Sequence, residues 1–297
     1  MFDPAKKATA SVRVGAEPVA IAVNEATNRI YVANNGGGSV SVIDGTSDSV
    51  TATVKVGQLP YVLAVNPVTD KIFVSNTFSN AITLIDGATN ATRTIDAGSA
   101  DSIVVDTKRD RAYLVGWEST NFTVLDSKAS VAGKVPMGGM HIWGTLVDKR
   151  AGKVYATKPG SAELAIVDEA SGRTSTVRTG KIPCAVAVNA ANGMVYVVNH
   201  GDDTVTVIDG ENRAVIATVK VGAKPQGVAV DGKRNRVYVA NVHGDSVSVI
   251  DGKRNVVTGT FQVGKNPFAL AVNQESGKVF VAYEGGGAAE LDAVEVQ

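Results

Sequence analysis

Three histidines are the residues of this 297-residue chain best suited to chemistry. His141, His200 and His243 are the only histidines it contains. An imidazole both ligates metal ions and titrates near neutral pH. Three converging imidazoles could hold zinc or a softer first-row metal with one position left open. No ligand-spacing motif accompanies them, so the alternative is three separate loop residues with hydrogen-bonding roles.

Aromatic and basic side chains provide a second set of candidates. Trp117 and Trp143 are the only tryptophans, and an exposed tryptophan often marks a recognition surface; Trp143 could instead fill the core. Lys158 and Lys224 could bind an anion or a carbonyl oxygen, although such lysines are more often solvated.

The single cysteine has two interpretations. Cys184 cannot form an internal disulfide, because the chain has no second cysteine. A catalytic thiolate needs a neighbouring base, which His141 could supply. The alternative role of Cys184 is that of a small buried apolar residue.

A repeated phrase must position these residues. An Asn or Asp follows a short apolar run seven times, at intervals of 40 to 42 residues: Asn24, Asn66, Asp106, Asp148, Asn189, Asp231 and Asn273. A period near 40 made of short apolar runs is typical of a propeller with four strands per repeat. Because stacked repeats share one core, the pattern predicts a single domain over residues 1–297.

One repeat shows how the strands are predicted. Residues 19–23 and 30–34 are apolar runs, residues 40–43 form a third strand, and residues 50–56 alternate as expected for an outer edge. The sequence predicts an all-β, seven-bladed β-propeller with four antiparallel strands per blade. Residues 8–14 match the fourth strand of a repeat, so they are expected to complete the last blade and close the ring.

Particular motifs carry a family resemblance. Residues 31–34 read Tyr-Val-Ala-Asn and residues 196–199 read Tyr-Val-Val-Asn, with Val-x-Val-Gly-x-x-Pro and Val-Ile-Asp-Gly phrases nearby. The whole chain resembles the YVTN-repeat β-propeller family, which belongs with lactonase-like and streptogramin-lyase-like propellers. This resemblance implies extracytoplasmic binding proteins, surface-layer proteins and a periplasmic protein linked to single-stranded DNA as similar members. It does not supply catalytic residues, because the Trp-Phe-Thr-Glu signature of the lyase is missing.

The top face of the predicted disc gathers unlike side chains. The loops before the first strand and after the second strand of each blade share this face, and their residue types differ from repeat to repeat. Such a ring around a central funnel is expected to form a ligand site, whereas the alternative is free variation of surface loops. The predicted ligand-binding residues are Glu17, Tyr61, Asp101, Trp117, Trp143, Lys158, His243 and Tyr283. The predicted catalytic residues are His141, His200 and Lys224, and the predicted metal ligands are His141, His200 and His243.

Composition limits the classes of partner. Lys plus Arg and Asp plus Glu both number 29, so the formal net charge is zero, which argues against a strong duplex nucleic-acid signal. No apolar run approaches 18 residues, so no membrane span is expected. Residues 1–11 carry no signal-peptide pattern; the compartment is periplasmic or extracellular if a leader was removed and cytoplasmic otherwise. A monomer is expected.

Three functions are compatible with these observations. The first is a binding protein that recognises a small molecule or a short polymer at the funnel. The second is a lactonase- or lyase-type enzyme in which a histidine acts as general base, with a divalent metal or Lys224 stabilising an oxyanion. The third is a surface-layer or scaffold protein. The scaffold role ranks last because residues such as Thr51 and Lys220 make the outer strands look polar.

Overall fold

The computed structural model describes residues 10–116, 118–136, 142–148, 150–168, 170–283 and 290–295. In these residues the chain forms 28 β-strands and one short 3-10 helix at Val242–Gly244. Within them, no helix is long and apolar enough to cross a membrane. The fold is an all-β propeller.

Six blades are each built from four consecutive antiparallel strands. Blade 1 contains β2 (Pro18–Asn24), β3 (Arg29–Asn34), β4 (Ser39–Asp44) and β5 (Ser49–Lys55). Blade 2 contains β6 (Pro60–Asn66), β7 (Lys71–Asn76), β8 (Ala81–Asp86) and β9 (Thr92–Ile95). Blade 3 contains β10 (Ser102–Asp106), β11 (Arg111–Val115), β12 (Asn121–Leu125) and β13 (Val131–Pro136).

The other three continuous blades follow the same order. Blade 4 contains β14 (Thr145–Asp148), β15 (Lys153–Lys158), β16 (Glu163–Asp168) and β17 (Thr174–Arg178). Blade 5 contains β18 (Pro183–Val188), β19 (Met194–Asn199), β20 (Thr204–Asp209) and β21 (Ala214–Lys220). Blade 6 contains β22 (Pro225–Asp231), β23 (Arg236–Asn241), β24 (Ser246–Asp251) and β25 (Val256–Gln262).

The two ends of the chain form a composite sheet. It contains β26 (Ala269–Val272), β27 (Lys278–Tyr283), β28 (Glu290–Glu295) and, on its outer side, β1 (Ala10–Arg13). The first strand of each blade contacts that of the next, and β26 contacts both β22 and β2. The inner strands therefore form a closed ring, which removes the inner sheet edges.

The fold prediction needs correction in two respects. Six blades, not seven, are four-stranded units of continuous chain, and the remaining four-stranded sheet is assembled from both ends. Within the described residues its outer strand covers Ala10–Arg13 and pairs with residues 290–293 of β28, so Val14 of the predicted strand 8–14 lies outside it. Residues 8 and 9 of the predicted strand lie outside the described residues.

The core lies between neighbouring sheets rather than at the centre of the disc. The second strands are apolar on both faces because each packs against the next blade, and four tyrosines fill them with exposed fractions of at most 1%: Tyr31, Tyr155, Tyr196 and Tyr238. One apolar cluster joins blades 1 and 2, and others join the later pairs and the composite sheet. A blade therefore buries its surface only when its neighbours are present.

The outer rim is less polar than its sequence indicated. Val215, Ile216 and Val256 on blades 5 and 6 are 48%, 50% and 40% exposed. Ile216 occupies a β-bulge, because Val215 pairs with Ile208 while Ala217 pairs with Val207. A bulge at an edge disrupts pairing with a further strand, so these apolar residues do not by themselves make a scaffold surface.

On the bottom face, the repeated Asn or Asp links neighbouring blades. The Asn66 amide donates to the Asp110 carboxylate at 2.7 Å, and Asn189 donates to Asn235 at 2.7 Å. These acceptors lie in the hairpin turn of the next blade, and both donors are only 1% exposed. The sequence suggested turn stereochemistry alone; the structure adds a hydrogen bond between blades.

Blade 6, which carries Asp at this position, uses a different contact. Asp231 forms an ion pair with Arg234 at 2.9 Å, and Arg234 also donates to the backbone of the next sheet at Gln274. The facing turn residue there is Gly277, where an added Cβ would lie 2.7 Å from the Arg234 guanidinium. The left-handed backbone, with φ of 78°, favours glycine at this position, and a side chain here would require the flexible Arg234 guanidinium to move.

Candidate functional site

The first strands line the centre of the ring, and each carries one variable residue near its start, at the mouth of the central funnel. In four blades that residue is a β-bulge: the ladder skips from the preceding proline to the residue after it, leaving Val19, Tyr61, Cys184 and Gln226 without a direct partner. A bulge re-aims a side chain and is common beside functional sites. The proline that recurs in these blades therefore stays in the ladder, and the variable residue after it leaves the ladder.

Tyr61 and Trp143 meet across this mouth. Tyr61 comes from blade 2 and Trp143 from the residues just before β14 of blade 4, and the indole N–H donates a hydrogen bond to the Tyr61 hydroxyl. Tyr61 is 37% exposed. The two aromatic side chains thus present partly exposed surface with their polar ends engaged, as expected of recognition aromatics.

The Asp101 carboxylate of blade 3 places a negative charge near Tyr61. Its backbone N–H is fixed by the Val115 carbonyl at 2.8 Å. Partial burial raises the pKa of Tyr61, the Asp101 carboxylate raises it further, and the hydrogen bond from Trp143 opposes both. The Tyr61 hydroxyl therefore stays protonated in a region that favours positive charge.

His200 of blade 5 completes the group. Its ring centroid lies 6.4 Å from that of Trp143, with the two planes tilted by 38°. Its Nδ1 lies 3.2 Å from the Pro225 carbonyl oxygen, which can only accept. Nδ1 is therefore the protonated nitrogen of the neutral ring, and the lone pair resides on Nε2.

The position of His200 also has a structural role. Asn35 follows the second strand of blade 1 at the same place, and its amide donates to the Pro60 carbonyl at 3.1 Å. Both side chains link one blade to the first strand of the next. The structure thus gives His200 an anchoring hydrogen bond through Nδ1.

Cys184 is placed as a buried apolar residue. It is 4% exposed and packs in the cluster against which Trp143 also lies. Burial raises the pKa of its thiol to about 12, and its Sγ lies 3.6 Å from the Pro225 carbonyl oxygen. A protonated thiol that donates to backbone carbonyls is not a nucleophile.

The predicted lysines and Glu17 lie at the rim. Lys158 forms an ion pair of 3.7 Å with Glu163, its cross-strand partner on the same blade. Lys224 has a left-handed backbone, with φ of 50°, and its N–H donates to Asp203. Glu17 has the same backbone conformation and is exposed. None of the three has a described contact with Tyr61, Trp143 or His200.

Tyr283 lies in the composite sheet rather than on an open surface. It is 5% exposed, and its hydroxyl lies 3.3 Å from the Ser11 hydroxyl. An added Cβ at Gly264 would lie 1.7 Å from the Tyr283 ring. Tyr283 therefore packs the junction between the chain ends.

The metal prediction stays untested. In the part of the chain that the structure describes, no group of three His, Cys, Asp or Glu side chains could hold a metal ion. His243 lies exposed in the short 3-10 helix. His141 and Trp117 lie outside the described residues.

Comparison with known proteins supplies the family. A family model described as a YNCE-like beta-propeller matches residues 7–293. The chain belongs to the YNCE-like beta-propeller family. Among solved structures, the chain is similar to "Kuenenia stuttgartiensis Hydrazine Synthase", with a TM-score of 0.82 and 16% identity over 95% of this chain and 96% of that one. At this identity the likeness shows the fold alone. No curated protein matches the chain, and the finer YVTN assignment stays a prediction.

One cavity of the protein was not predicted from the sequence. A cavity of about 480 Å³ opens between blades 1 and 2 on the top face, lined by Asn35, Gly36, Gly37, Gly38, Gln58, Leu59 and Phe78. Phe78 is 73% exposed. The sequence signal that could have indicated this cavity is Phe78 itself, an aromatic residue in a loop where the equivalent positions of blades 5 and 6 hold Gly201 and His243.

Proposed function

We propose that this protein is a binding protein that recognises a small molecule or a short polymer at the funnel mouth of its top face. The observation that supports this proposal is the convergence of Tyr61, Asp101, Trp143 and His200, which come from four consecutive blades. Residues so far apart in the chain meet only because the blades are arranged in a ring.

The chemistry of the group favours an organic cation with an apolar body. The faces of Tyr61 and Trp143 attract a cation through the ring quadrupole. The Asp101 carboxylate adds charge complementarity. His200 adds a hydrogen-bond acceptor at Nε2 when neutral.

The test uses choline as the probe and its uncharged isostere, 3,3-dimethylbutan-1-ol, as the comparison. Binding is measured by fluorescence of Trp143 in a Trp117→Phe background and by calorimetry. We expect choline to bind and the isostere to bind at least tenfold more weakly. Asp101→Asn should weaken choline binding about tenfold, which is about 1.4 kcal/mol.

Glu17→Gln is the matched control, because it makes the same change of charge on the same face without a described contact to the group. Equal losses from Asp101→Asn and Glu17→Gln would show a general surface effect and contradict the proposed site. Binding of both probes with equal affinity would contradict the cation preference. Absence of any Trp143-dependent binding across cations, neutral sugars and short oligomers would overturn the binding function.

One observation supports the enzyme hypothesis as a second candidate. The contact between His200 and Pro225 leaves Nε2 as the basic nitrogen, which a general base requires. Lactone and ester hydrolysis should then be lost in His200→Gln, which retains a hydrogen-bond donor for the carbonyl. Equal turnover by the wild type and this variant would remove the hypothesis.

A further inference from the structure

The cavity between blades 1 and 2 is separate from the funnel group in its lining residues. Its volume of about 480 Å³ falls in the range of small-molecule sites. Its walls are the loop after β3, at residues 35–38, and the loop before β6, at residues 58–59, with Phe78 at its edge.

A hydrogen bond found at other blade junctions is missing at this one. In the described top loops of blades 1, 2, 4, 5 and 6, a residue after the second strand has the left-handed conformation. At three of these junctions its side-chain oxygen accepts an N–H from the next blade. Asn80 accepts from Ser99 at 2.9 Å, Asp203 from Lys224 at 2.9 Å and Asp245 from Asn266 at 3.0 Å.

Gly38 occupies this position in blade 1. Its φ of 55° matches the 48°, 56° and 45° of Asn80, Asp203 and Asp245. Glycine has no side-chain oxygen, and within the described residues the Leu59 N–H has no hydrogen-bond acceptor. The absence of this side chain therefore leaves both open space and a backbone donor at the cavity.

One other junction provides a useful comparison. Ala162 of blade 4 has φ of 55° and also lacks a side-chain oxygen. The apolar residues that follow at the two junctions, Leu59 and Ile182, are both 41% exposed. Ala162 carries a methyl group where Gly38 leaves the space open. The junction at Gly38 therefore differs in having open space next to the Leu59 N–H.

The residues that line the cavity indicate which kind of ligand oxygen would suit the Leu59 N–H as acceptor. Phe78 and Leu59 supply exposed apolar surface, 73% and 41% exposed, and no lysine or arginine lines the cavity. The Glu17 carboxylate lies 3.1 Å from where a Cβ of Gly36 would be. An anion placed here would face a like charge, so an uncharged acceptor is favoured.

We propose that this cavity is a second binding site, and that it takes a small uncharged carbonyl compound with an apolar body, such as an aromatic or aliphatic amide. The carbonyl oxygen accepts the Leu59 N–H, as the Asp or Asn side chain does at the other junctions. The apolar body lies against Phe78 and Leu59. Occupation of this site does not require the funnel residues.

The experiment uses benzamide as the probe, benzoate as its anionic counterpart, and the Leu59 amide signal in a ¹H–¹⁵N correlation spectrum. We expect benzamide to shift the Leu59 signal in a saturable way and benzoate to bind at least tenfold more weakly. Asp101→Asn should leave benzamide binding unchanged, which separates this site from the funnel.

Gly38→Asn supplies the missing side chain. An added Cβ at Gly38 meets only the Gly57 carbonyl oxygen, at 3.5 Å, and asparagine tolerates a left-handed backbone. This variant should shift the Leu59 signal without any ligand and lose benzamide binding. Gly172→Asn is the matched control, since Gly172 has φ of 67° and open space around it, and it should bind benzamide like the wild type.

Three results would overturn the proposal. The first would be a Leu59 signal that does not respond to benzamide at millimolar concentrations. The second would be benzamide binding by Gly38→Asn as strong as that of the wild type. The third would be benzoate binding as strong as that of benzamide. Phe78→Ala adds a further check, because removal of the aromatic surface should weaken benzamide several-fold while the protein keeps its spectrum.

Discussion

The hydrogen bond between Asn66 and Asp110 makes a sharp test of how neighbouring blades are held together. Asn66 is 1% exposed; its amide N–H donates to Asp110 at 2.7 Å, while its oxygen accepts from the backbone N–H of Val68 at 3.1 Å. Asn66→Asp keeps the oxygen but replaces the donor with a second carboxylate. Two like charges would then lie about 2.7 Å apart.

The expected cost follows from electrostatics and proton uptake. At an effective dielectric constant of about 20, the repulsion is about 6 kcal/mol. The pair can avoid it by sharing one proton, which at pH 7 costs about 4 kcal/mol for a carboxyl with a reference pKa near 3.9. Asn66→Asp should therefore lower the free energy of unfolding by about 4 kcal/mol at pH 7.

The pH dependence identifies the cause. The introduced carboxyl has a folded-state pKa above its unfolded value, so the variant gains stability relative to the wild type as pH falls. The difference should shrink by about 1.4 kcal/mol per unit and nearly vanish near pH 4. Urea unfolding of both proteins at pH 7, 5.5 and 4.5 measures it.

Asn189→Asp is the matched control. Asn189 is also 1% exposed, but its partner at 2.7 Å is the neutral Asn235, whose amide can rotate to donate to the new carboxylate. We expect a loss of about 1 kcal/mol or less with little pH dependence. If both variants lose equal stability, or if the cost at Asn66 does not change with pH, the reasoning is wrong.

The remaining predictions concern stability and reactivity. Burial raises the pKa of Asp106, but the hydrogen bonds from Arg109 and the turn backbone together outweigh it and lower this pKa below its ordinary 3.8. Arg109→Gln should therefore destabilise the protein by about 1–3 kcal/mol at pH 7, and the difference should be lost as pH falls through the folded-state pKa. Urea unfolding at pH 7 and pH 3 tests this. Deletion of residues 1–14 removes β1 and exposes the edge of β28, and should lower the melting temperature by roughly 10 °C or more; unchanged calorimetric melting would refute ring closure. Cys184, with a thiol pKa of about 12, should react with a thiol reagent at pH 8 only at the rate of unfolding, whereas fast labelling of the folded protein would contradict its burial.

The strand pattern was accessible from the sequence because it depends on local periodicity. Apolar runs such as residues 30–34 and turn residues such as Asn28, with φ of 50°, reproduce the strands and hairpins of the blades. The approximate place of β1 was accessible, because residues 8–14 match the fourth strand of a repeat. Its register with β28, about 280 positions away, was not, because nothing local determines it.

The candidate site was only partly accessible. Tyr61, Asp101, Trp143 and His200 were selected because they vary at equivalent positions of the repeat, and the structure brings these four together. The same criterion selected Lys158, which pairs within its own blade, and Tyr283, which is buried. Variation between repeats shows that a position is not constrained by the common blade, but not whether its side chain faces the funnel.

The amino-acid sequence by itself determined that the chain forms short strands in repeats of about 40 residues, because alternation, turn residues and glycine act on near neighbours. Only the tertiary structure decided which side chains meet. The contacts of Asn66 with Asp110, of Tyr61 with Trp143, and the space beside Gly38 all lie between blades. Their geometry depends on how the closed ring positions each sheet against the next, and no residue pair close in sequence carries that information.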